Sequence, residues 1–299
     1  MLFEKMAAPI ERHLGHFDVE FTTGPRHAVD IAREAATAER PIVVAVGGDG
    51  SIHEVSCGLM QAREAGHAKT KLGIIGAGTG GDYRRTLGLE NRLDRYCEAI
   101  AGGKTRAMDI GKFSYTTHEG EPASSYFVNI LSVGMGGLID QLVAQSSRSL
   151  GGTMAYLTAS VRGLVQSQIG RLKCTIRRED TSREETIESR TIAICNGRFF
   201  GSGMQVAPMA HPDDGLFDVV DLGAAPRMRF FMVSSRMYTG THVQSLDVKH
   251  YRCDRIDIEL LNKDIADRFL LDVDGEPLGR LPISIEMVPG AIEVFVPKQ

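Results

Sequence analysis

Three short clusters combine the side chains and the backbone freedom that phosphate chemistry requires. Gly47-Gly48-Asp49-Gly50-Ser51 follows the apolar run Pro41–Val46 and leads into a stretch of helical spacing, Ser51–Glu64. Glycines let the chain turn sharply and approach a ligand closely. The helix start that follows offers free N–H groups and a positive dipole end, which suits phosphate. Ser51 adds a hydroxyl donor. Asp49 is out of place beside phosphates unless a cation sits between them, which points to a magnesium-bound nucleotide. The plain alternative is a glycine turn with a capping aspartate. No Lys-Ser or Lys-Thr pair follows the loop, so it is not a Walker A motif.

The second cluster repeats the design. Leu72–Ile75 reads as a strand, Gly76-Ala77-Gly78-Thr79-Gly80-Gly81-Asp82 as a glycine-rich turn, and Tyr83–Leu87 as a helix start. Two such loops in one small sheet fall at the C-terminal ends of strands, where open α/β sheets bind ligands. Thr79 can donate to phosphate, and Asp82 is a second acid for the same crevice. Arg84 and Arg85 suit a phosphate or a lipid head group, although a solvated helix face is the favoured expectation. The third cluster, Asp274-Gly275-Glu276, follows the expected strand Arg268–Val273. Its glycine permits a tight turn that projects both carboxylates to one place. Phosphoryl transfer to an alcohol needs a base near the hydroxyl, in line with the γ-phosphate. By itself, Asp-Gly is an ordinary turn dipeptide.

The elements that must position these clusters fall into two halves. Leu2–Leu14 has helical spacing, Phe17–Thr22 alternates as a strand, and Ala28–Ala38 is an alanine-rich helix. Pro41–Val46 is a continuous apolar run suited to a strand buried on both faces of a parallel sheet. This alternation predicts an open, mostly parallel α/β sheet. Past Met108 the segments become β-branched and separated by turn signals: Tyr126–Val133, Leu172–Arg177, Thr186–Cys195, Phe217–Leu222, Arg255–Glu259 and Ile283–Met287. A helix is expected at Met154–Val165. Many short strands imply a sandwich or barrel. The expected fold is therefore α/β plus all-β, with an α/β nucleotide-binding domain over 1–107 and a β-rich domain over 108–299.

Composition removes other classes. Hydrophobic residues at 42% and charged residues at 24% describe a globular protein. A formal charge of −4, from 34 Lys+Arg against 38 Asp+Glu, argues against a nucleic-acid partner. The five cysteines are scattered with no CxxC pair, which predicts reduced thiols and a cytoplasmic location. No apolar run reaches the ~18 residues of a membrane span, so a lipid substrate must be met from the membrane surface. The nine histidines form no HxH or HExxH cluster. Met204, Met209, Met228, Met232 and Met237 could line a lipid-binding surface, but core filling is the favoured expectation. Arg227–Met232 mixes basic and bulky apolar residues; a buried amphipathic helix is expected there rather than an interfacial one.

Five blocks in fixed order resemble the diacylglycerol kinase catalytic-domain family, and the bacterial soluble lipid kinases of its YegS-like groups most of all. They are GGDGSIHEV (47–55), GAGTGGDYRRTL (76–87), MDIG (108–111), NGRFFGSGMQVAPMAHPDDGLFDVV (196–220) and VDGEPL (273–278). The resemblance implies an α/β domain and a β-sandwich domain with ATP in the cleft between them. It implies that Thr22, Gly47, Gly48, Asp49, Gly50, Ser51, Ile52, His53, Gly78, Thr79 and Asp82 serve the nucleotide. Asp49, Asp82 and Asp109 would hold Mg2+, largely through water. A second, structural magnesium would sit on Asp214 with the backbone carbonyls of His211 and Leu216. Glu276 would be the proton acceptor, with Asp274 beside it orienting the hydroxyl or a metal-bound water. Arg148 falls where the family often carries a basic residue.

The sequence also departs from the family pattern. Members begin with a strand and an NPxxG loop near the phosphates, whereas this sequence starts inside the following helix, so that strand and loop are expected to be missing. Gly81 stands for the usual Asn, and Gly76 for the usual Pro. The leading expectation is an ATP- and magnesium-dependent kinase of a lipid alcohol, diacylglycerol or a related glycerolipid or sphingoid lipid, contacting a membrane peripherally. A water-soluble small-molecule kinase of the NAD-kinase type and an inactive nucleotide-binding regulator are the alternatives. A homodimer is left open.

Overall fold

The computed structural model describes residues 2–78, 80–117, 119–145 and 152–298. The first half contains α1 (Leu2–Leu14), α2 (His27–Thr37), β1 (Ile42–Gly47), α3 (Asp49–Glu64), β2 (Lys71–Gly76), α4 (Asp82–Thr86) and α5 (Leu93–Ala101). The apolar runs become β1 and β2, paired in parallel from Ile42–Lys71 to Gly47–Gly76. This register puts both glycine loops at the same end of the sheet. Helix α3 buries Ile52, Val55, Leu59 and Met60. It crosses α2 at Gly58, where an added methyl would lie 2.3 Å from the Val29 carbonyl oxygen, so only glycine allows that approach.

The second half begins with the long strand β3 (Thr105–Thr116), followed by β4 (Pro122–Phe127), β5 (Ile130–Gly134), α6 (Met135–Gln145) and α7 (Gly152–Gln166). Then come β6 (Gly170–Arg178), β7 (Thr181–Ser189), β8 (Thr191–Cys195) and the short hairpin β9 (Phe199–Phe200) and β10 (Met204–Gln205). The chain closes with β11 (Phe217–Asp221), α8 (Arg227–Ser235), β12 (Lys249–Cys253), β13 (Arg255–Leu260), β14 (Leu270–Val273) and β15 (Glu276–Phe295). The expected continuous strand Tyr126–Val133 is broken at Val128–Asn129 into β4 and β5. The freed amides there turn toward the site.

One sheet runs in the order β12-β11-β8-β5-β14-β15-β13-β6-β7, and β15 joins it to the rest. The first part of β15 pairs with β14 and β13, while β3 follows β15 antiparallel from Arg280 to Phe295. At Val294, β15 meets β2 in parallel. The expectation of a mostly parallel sheet is corrected: among the described residues, only β1–β2 and β2–β15 pair in parallel. Part of the reason lies in the connections: β1 and β2 are joined by a helix, as parallel neighbours require, whereas β3–β4, β6–β7 and β14–β15 follow one another through short turns and so pair antiparallel.

Three apolar clusters follow. One contains Ile52, Met60, Leu72, Ile74 and Tyr83 from the first half together with Met108, Ile110, Ala291, Ile292, Val294, Phe295 and Val296. The division expected at 107/108 is thus crossed by the core. The other two cover opposite faces of the second half. Along β8, Ile192 and Ile194 face one cluster while Ala193 and Cys195 face the other, the period-two alternation of a strand covered on both sides.

Two further expectations are corrected. Phe17–Thr22 forms no strand: it is extended and mostly exposed, and it has no ladder partner among the described residues. Alternation supplies a face, but a strand also needs a neighbour. Helix α8 is not a buried amphipathic helix, since only Phe230 and Val233 in it are buried. All five cysteines are free and buried, as reduced thiols would be. No described helix is long and apolar enough to cross a membrane.

Candidate active site

The two glycine loops touch backbone to backbone. The Ala77 amide donates to the Gly47 carbonyl at 2.9 Å. A methyl on Gly78 would sit 2.7 Å from the Gly48 Cα. Ser51 folds its hydroxyl back over Gly47, where a methyl would lie 2.2 Å from its Oγ. Asp49 opens α3 and bridges to the second loop. Its Oδ2 accepts from the Gly81 amide at 2.7 Å and the Asp82 amide at 3.1 Å, and its Oδ1 accepts from the Tyr83 amide at 3.1 Å. It therefore caps α4 while lying beside Asp82.

Asp82 is buried. It accepts from the Ser202 amide at 2.8 Å and from Arg85 Nη1 at 2.8 Å. Burial raises its pKa above the ordinary carboxylate range, and the neighbouring Asp49 carboxylate adds to the rise against the Ser202 amide and Arg85. Arg85 also donates to the Gly80 carbonyl at 2.7 Å, and Arg84 donates to the Leu89 carbonyl. Both are half-buried supports of the loop rather than a solvated helix face.

The acidic turn lies against the start of α3. A methyl on Gly50 would be 3.4 Å from Glu276 Oε1. Glu276 is exposed and Asp274 is not. Asp274 adopts φ 52°, and its carboxylate is saturated. Oδ2 accepts from His53 Nδ1 at 2.9 Å and the Val128 amide at 2.8 Å; Oδ1 accepts from the Asn129 amide at 3.0 Å and the Ile130 amide at 2.9 Å. Expected to orient a hydroxyl or a metal-bound water, Asp274 has four donors on two buried oxygens, and these fix the turn that carries Glu276.

His53, expected to serve the nucleotide, packs against the same turn. Its side chain is 9% exposed and spans from Asp274 to the Cys57 Sγ, 3.7 Å from Nε2. Burial opposes its charge, but Cys57 and the Asp274 carboxylate outweigh that cost and hold the imidazole well above its ordinary value.

Asp109 does not join Asp49 and Asp82. It accepts from the Gly215 and Gly290 amides, both at 2.7 Å, and so ties the loop before β11 to β15. Burial raises its pKa too, and the Asp214 and Asp213 carboxylates add to the rise. Among the described residues, no three His, Cys, Asp or Glu side chains converge as direct metal ligands. Asp49 is near enough to Asp82 to raise its pKa, a repulsion that a cation between them would relieve, while their oxygens also accept from the loop amides, the Ser202 amide and Arg85. The 211–216 loop fits a cation less well. Asp214 accepts from the Leu216 amide at 3.1 Å and is ion-paired with Arg252. His211 Nδ1 lies 3.3 Å from Arg198 Nη2. A cation on Asp214 with the His211 and Leu216 carbonyls would compete with the Arg252 guanidinium for that carboxylate.

Thr22 is exposed ahead of α2, and Ile52 is buried in the core. Thr79 and Arg148 lie outside the described residues. The sequence reading missed several supports. Glu54 accepts from the Arg26 and Ala28 amides and so ties the start of α2 to α3. Asn196 donates to the Asp109 and Val128 carbonyls, both at 2.8 Å. Ser202 reaches Asp82 from the β9–β10 hairpin. The glutamate of GGDGSIHEV and the leading Asn of NGRFFGSG were visible, but nothing local revealed what they hold.

Paired glycine loops on an α/β sheet, closed by an acidic turn from a β-sandwich, define a two-domain phosphotransferase. The diacylglycerol kinase catalytic domain model matches residues 2–113, and the YegS C-terminal NAD kinase β-sandwich-like domain model matches residues 129–296. The chain belongs to this family and is a lipid kinase. The diacylglycerol kinase of Bacillus subtilis (strain 168) is 26% identical over 282 residues, covering 93% of this chain and 85% of its own. That of Mycobacterium tuberculosis (strain ATCC 25618 / H37Rv) is 27% identical over 290 residues, covering 96% and 87%. Two solved chains from Bacillus anthracis str. Sterne, named as diacylglycerol kinases, share the fold with TM-scores of 0.76 and 0.67. Their identities are 21% and 18%, and the matches cover 98% and 96% of this chain and 90% and 88% of theirs.

Proposed function

We propose that the chain transfers the γ-phosphate of ATP to the hydroxyl of a lipid alcohol, diacylglycerol or a related glycerolipid or sphingoid lipid, with Mg2+ and from the surface of a membrane. The observation that carries this reading is the approach of the exposed Glu276 carboxylate to Gly50, at the head of α3 beside the glycine loops. Phosphoryl transfer is mostly positioning and charge stabilisation, so few groups are needed. The loop amides and the start of α3 cradle the phosphates. Asp49 and Asp82 would hold the magnesium, which would supply charge neutralisation when bound. Glu276 accepts the hydroxyl proton as the lipid oxygen bonds to phosphorus and ADP leaves. Asp274 and His53 hold the turn that aims Glu276.

Labelled phosphate transfer from ATP to a panel of lipid alcohols in mixed micelles tests the reading. A labelled lipid names the acceptor. ATP binding with no lipid product would select a water-soluble acceptor or an inactive regulator instead.

A further inference from the structure

The exposed face of α8 and its neighbours matches the chemistry of an anionic bilayer. Met228 is 72% exposed, Phe231 54% and Met232 55%. Their spacing of three and four residues puts them on one side of the helix. Tyr238 (60%) and Leu246 (95%) are exposed in the turns that follow, which pack on α8. Helix α7 adds Val161 and Val165, and it is fastened to α8 by Arg227, which donates to the Leu164 and Ser167 carbonyls. Large exposed apolar side chains grouped in this way are uncommon on a surface that meets only water.

Charge decides what covers them. The chain is net negative, yet residues 141–178 and 222–246 contain no Asp or Glu. The α8 region carries Arg227, Arg229 and Arg236. Arg229 pairs with Asp247, just beyond the acid-free stretch, while Arg227 and Arg236 hold main-chain carbonyls. Arginines bordering exposed Met and Phe are the composition of an interfacial helix, and Met conforms to disordered chains. A second copy fits worse, since two-fold pairing sets the face against itself, and residues 222–246 of neither copy offer an acid to the other's arginines.

The face also borders the site. The β9–β10 hairpin gives its Ser202 amide to Asp82, and β10 packs on Arg236–Thr239. A methyl on Gly240 would lie 2.8 Å from Gln205 Oε1. We propose that the face formed by Met228, Phe231, Met232, Tyr238 and Leu246, with Arg227 and Arg236, inserts into an anionic lipid surface and sets the site against it. The proposal rests on the lipid-kinase reading for its purpose but not for its test.

Co-sedimentation with vesicles of phosphatidylglycerol and phosphatidylcholine, against phosphatidylcholine alone, reads binding directly. The chain is expected to prefer anionic vesicles, and added salt should weaken the preference. The triple variant Met228→Ser/Phe231→Ser/Met232→Ser should lose at least tenfold in vesicle partition. Its thermal midpoint and its turnover of a dispersed short-chain diacylglycerol should persist. Vesicle binding that withstands the triple change would overturn the proposal, as would a wild-type chain that ignores anionic vesicles. A dimer that the triple change converts to monomer would assign the face to a second copy and also overturn it. Vesicle binding lost in the variant supports the face even if no lipid is phosphorylated, in which case the kinase reading alone fails.

Discussion

At the scale of residues, the acidic turn divides its labour. Glu276 is the exposed carboxylate, and Glu276→Gln should lower turnover by about 10²–10⁴-fold while leaving nucleotide affinity nearly unchanged, as calorimetry with a non-hydrolysable ATP analogue would show. Asp274→Ala should act otherwise. It strands three buried amides and His53, and removing one side of a buried charge network costs roughly 3–5 kcal/mol, readable as a lower urea midpoint. His53 gives a pH signature. Its folded value is raised, so its contribution is fully present below its ordinary 6.5 and is lost as pH rises through the folded value. Urea stability measured across that alkaline window should fall more steeply for the wild type than for His53→Gln; equal slopes would remove His53 from the account. The sequence made both acids legible as a pair but not their difference. Asp-Gly-Glu looks symmetrical along the chain, whereas the amides that saturate Asp274 come from Val128, Asn129 and Ile130, far away in sequence.

Among the elements, those with strong local pattern were legible. The Pro41–Val46 run and the glycines after it sufficed to place β1, the first loop and α3. The loop–loop contact was not, because it depends on the register of β1 against β2. Gly78→Ala drives a methyl toward the Gly48 Cα and should force the loops apart, costing about 1–3 kcal/mol and weakening ATP binding; undiminished ATP affinity in that variant would show that the contact is dispensable. Of strand β15 only the middle, Ile283–Met287, was legible, and for the opposite reason. Gly279, Pro282, Pro289 and Gly290 interrupt it, and such residues ordinarily demote a strand. Its bulges against β3 absorb the interruptions. Phe17–Thr22 had the alternation without the partner, and α8 had amphipathic composition without burial.

For the whole molecule, the two halves share a strand, and they share part of a core with it. Ala291, Ile292, Val294, Phe295 and Val296 are buried in the first cluster, beside residues of β2 and α3. Each large apolar side chain buried contributes roughly 1.5–3 kcal/mol, so losing the group approaches the whole stability of a domain, about 5–15 kcal/mol. Deleting residues 291–298 should therefore unfold the first half while most of the sandwich keeps its pairing, and hydrogen exchange across β1 and α3 would show it. Protection there equal to the intact chain would mean that the first half stands alone.

The shared strand also sets an order of events during synthesis. A ribosome releases the glycine loops and both parallel strands early, but the strand that flanks β2 emerges only after the entire sandwich has been made. The first half must wait, with one edge of β2 and the adjoining apolar surface uncovered, for nearly two hundred residues of translation. Domains made first usually fold first. Here the first half is begun first and finished last, so the interval in which it needs protection from aggregation is written into the topology.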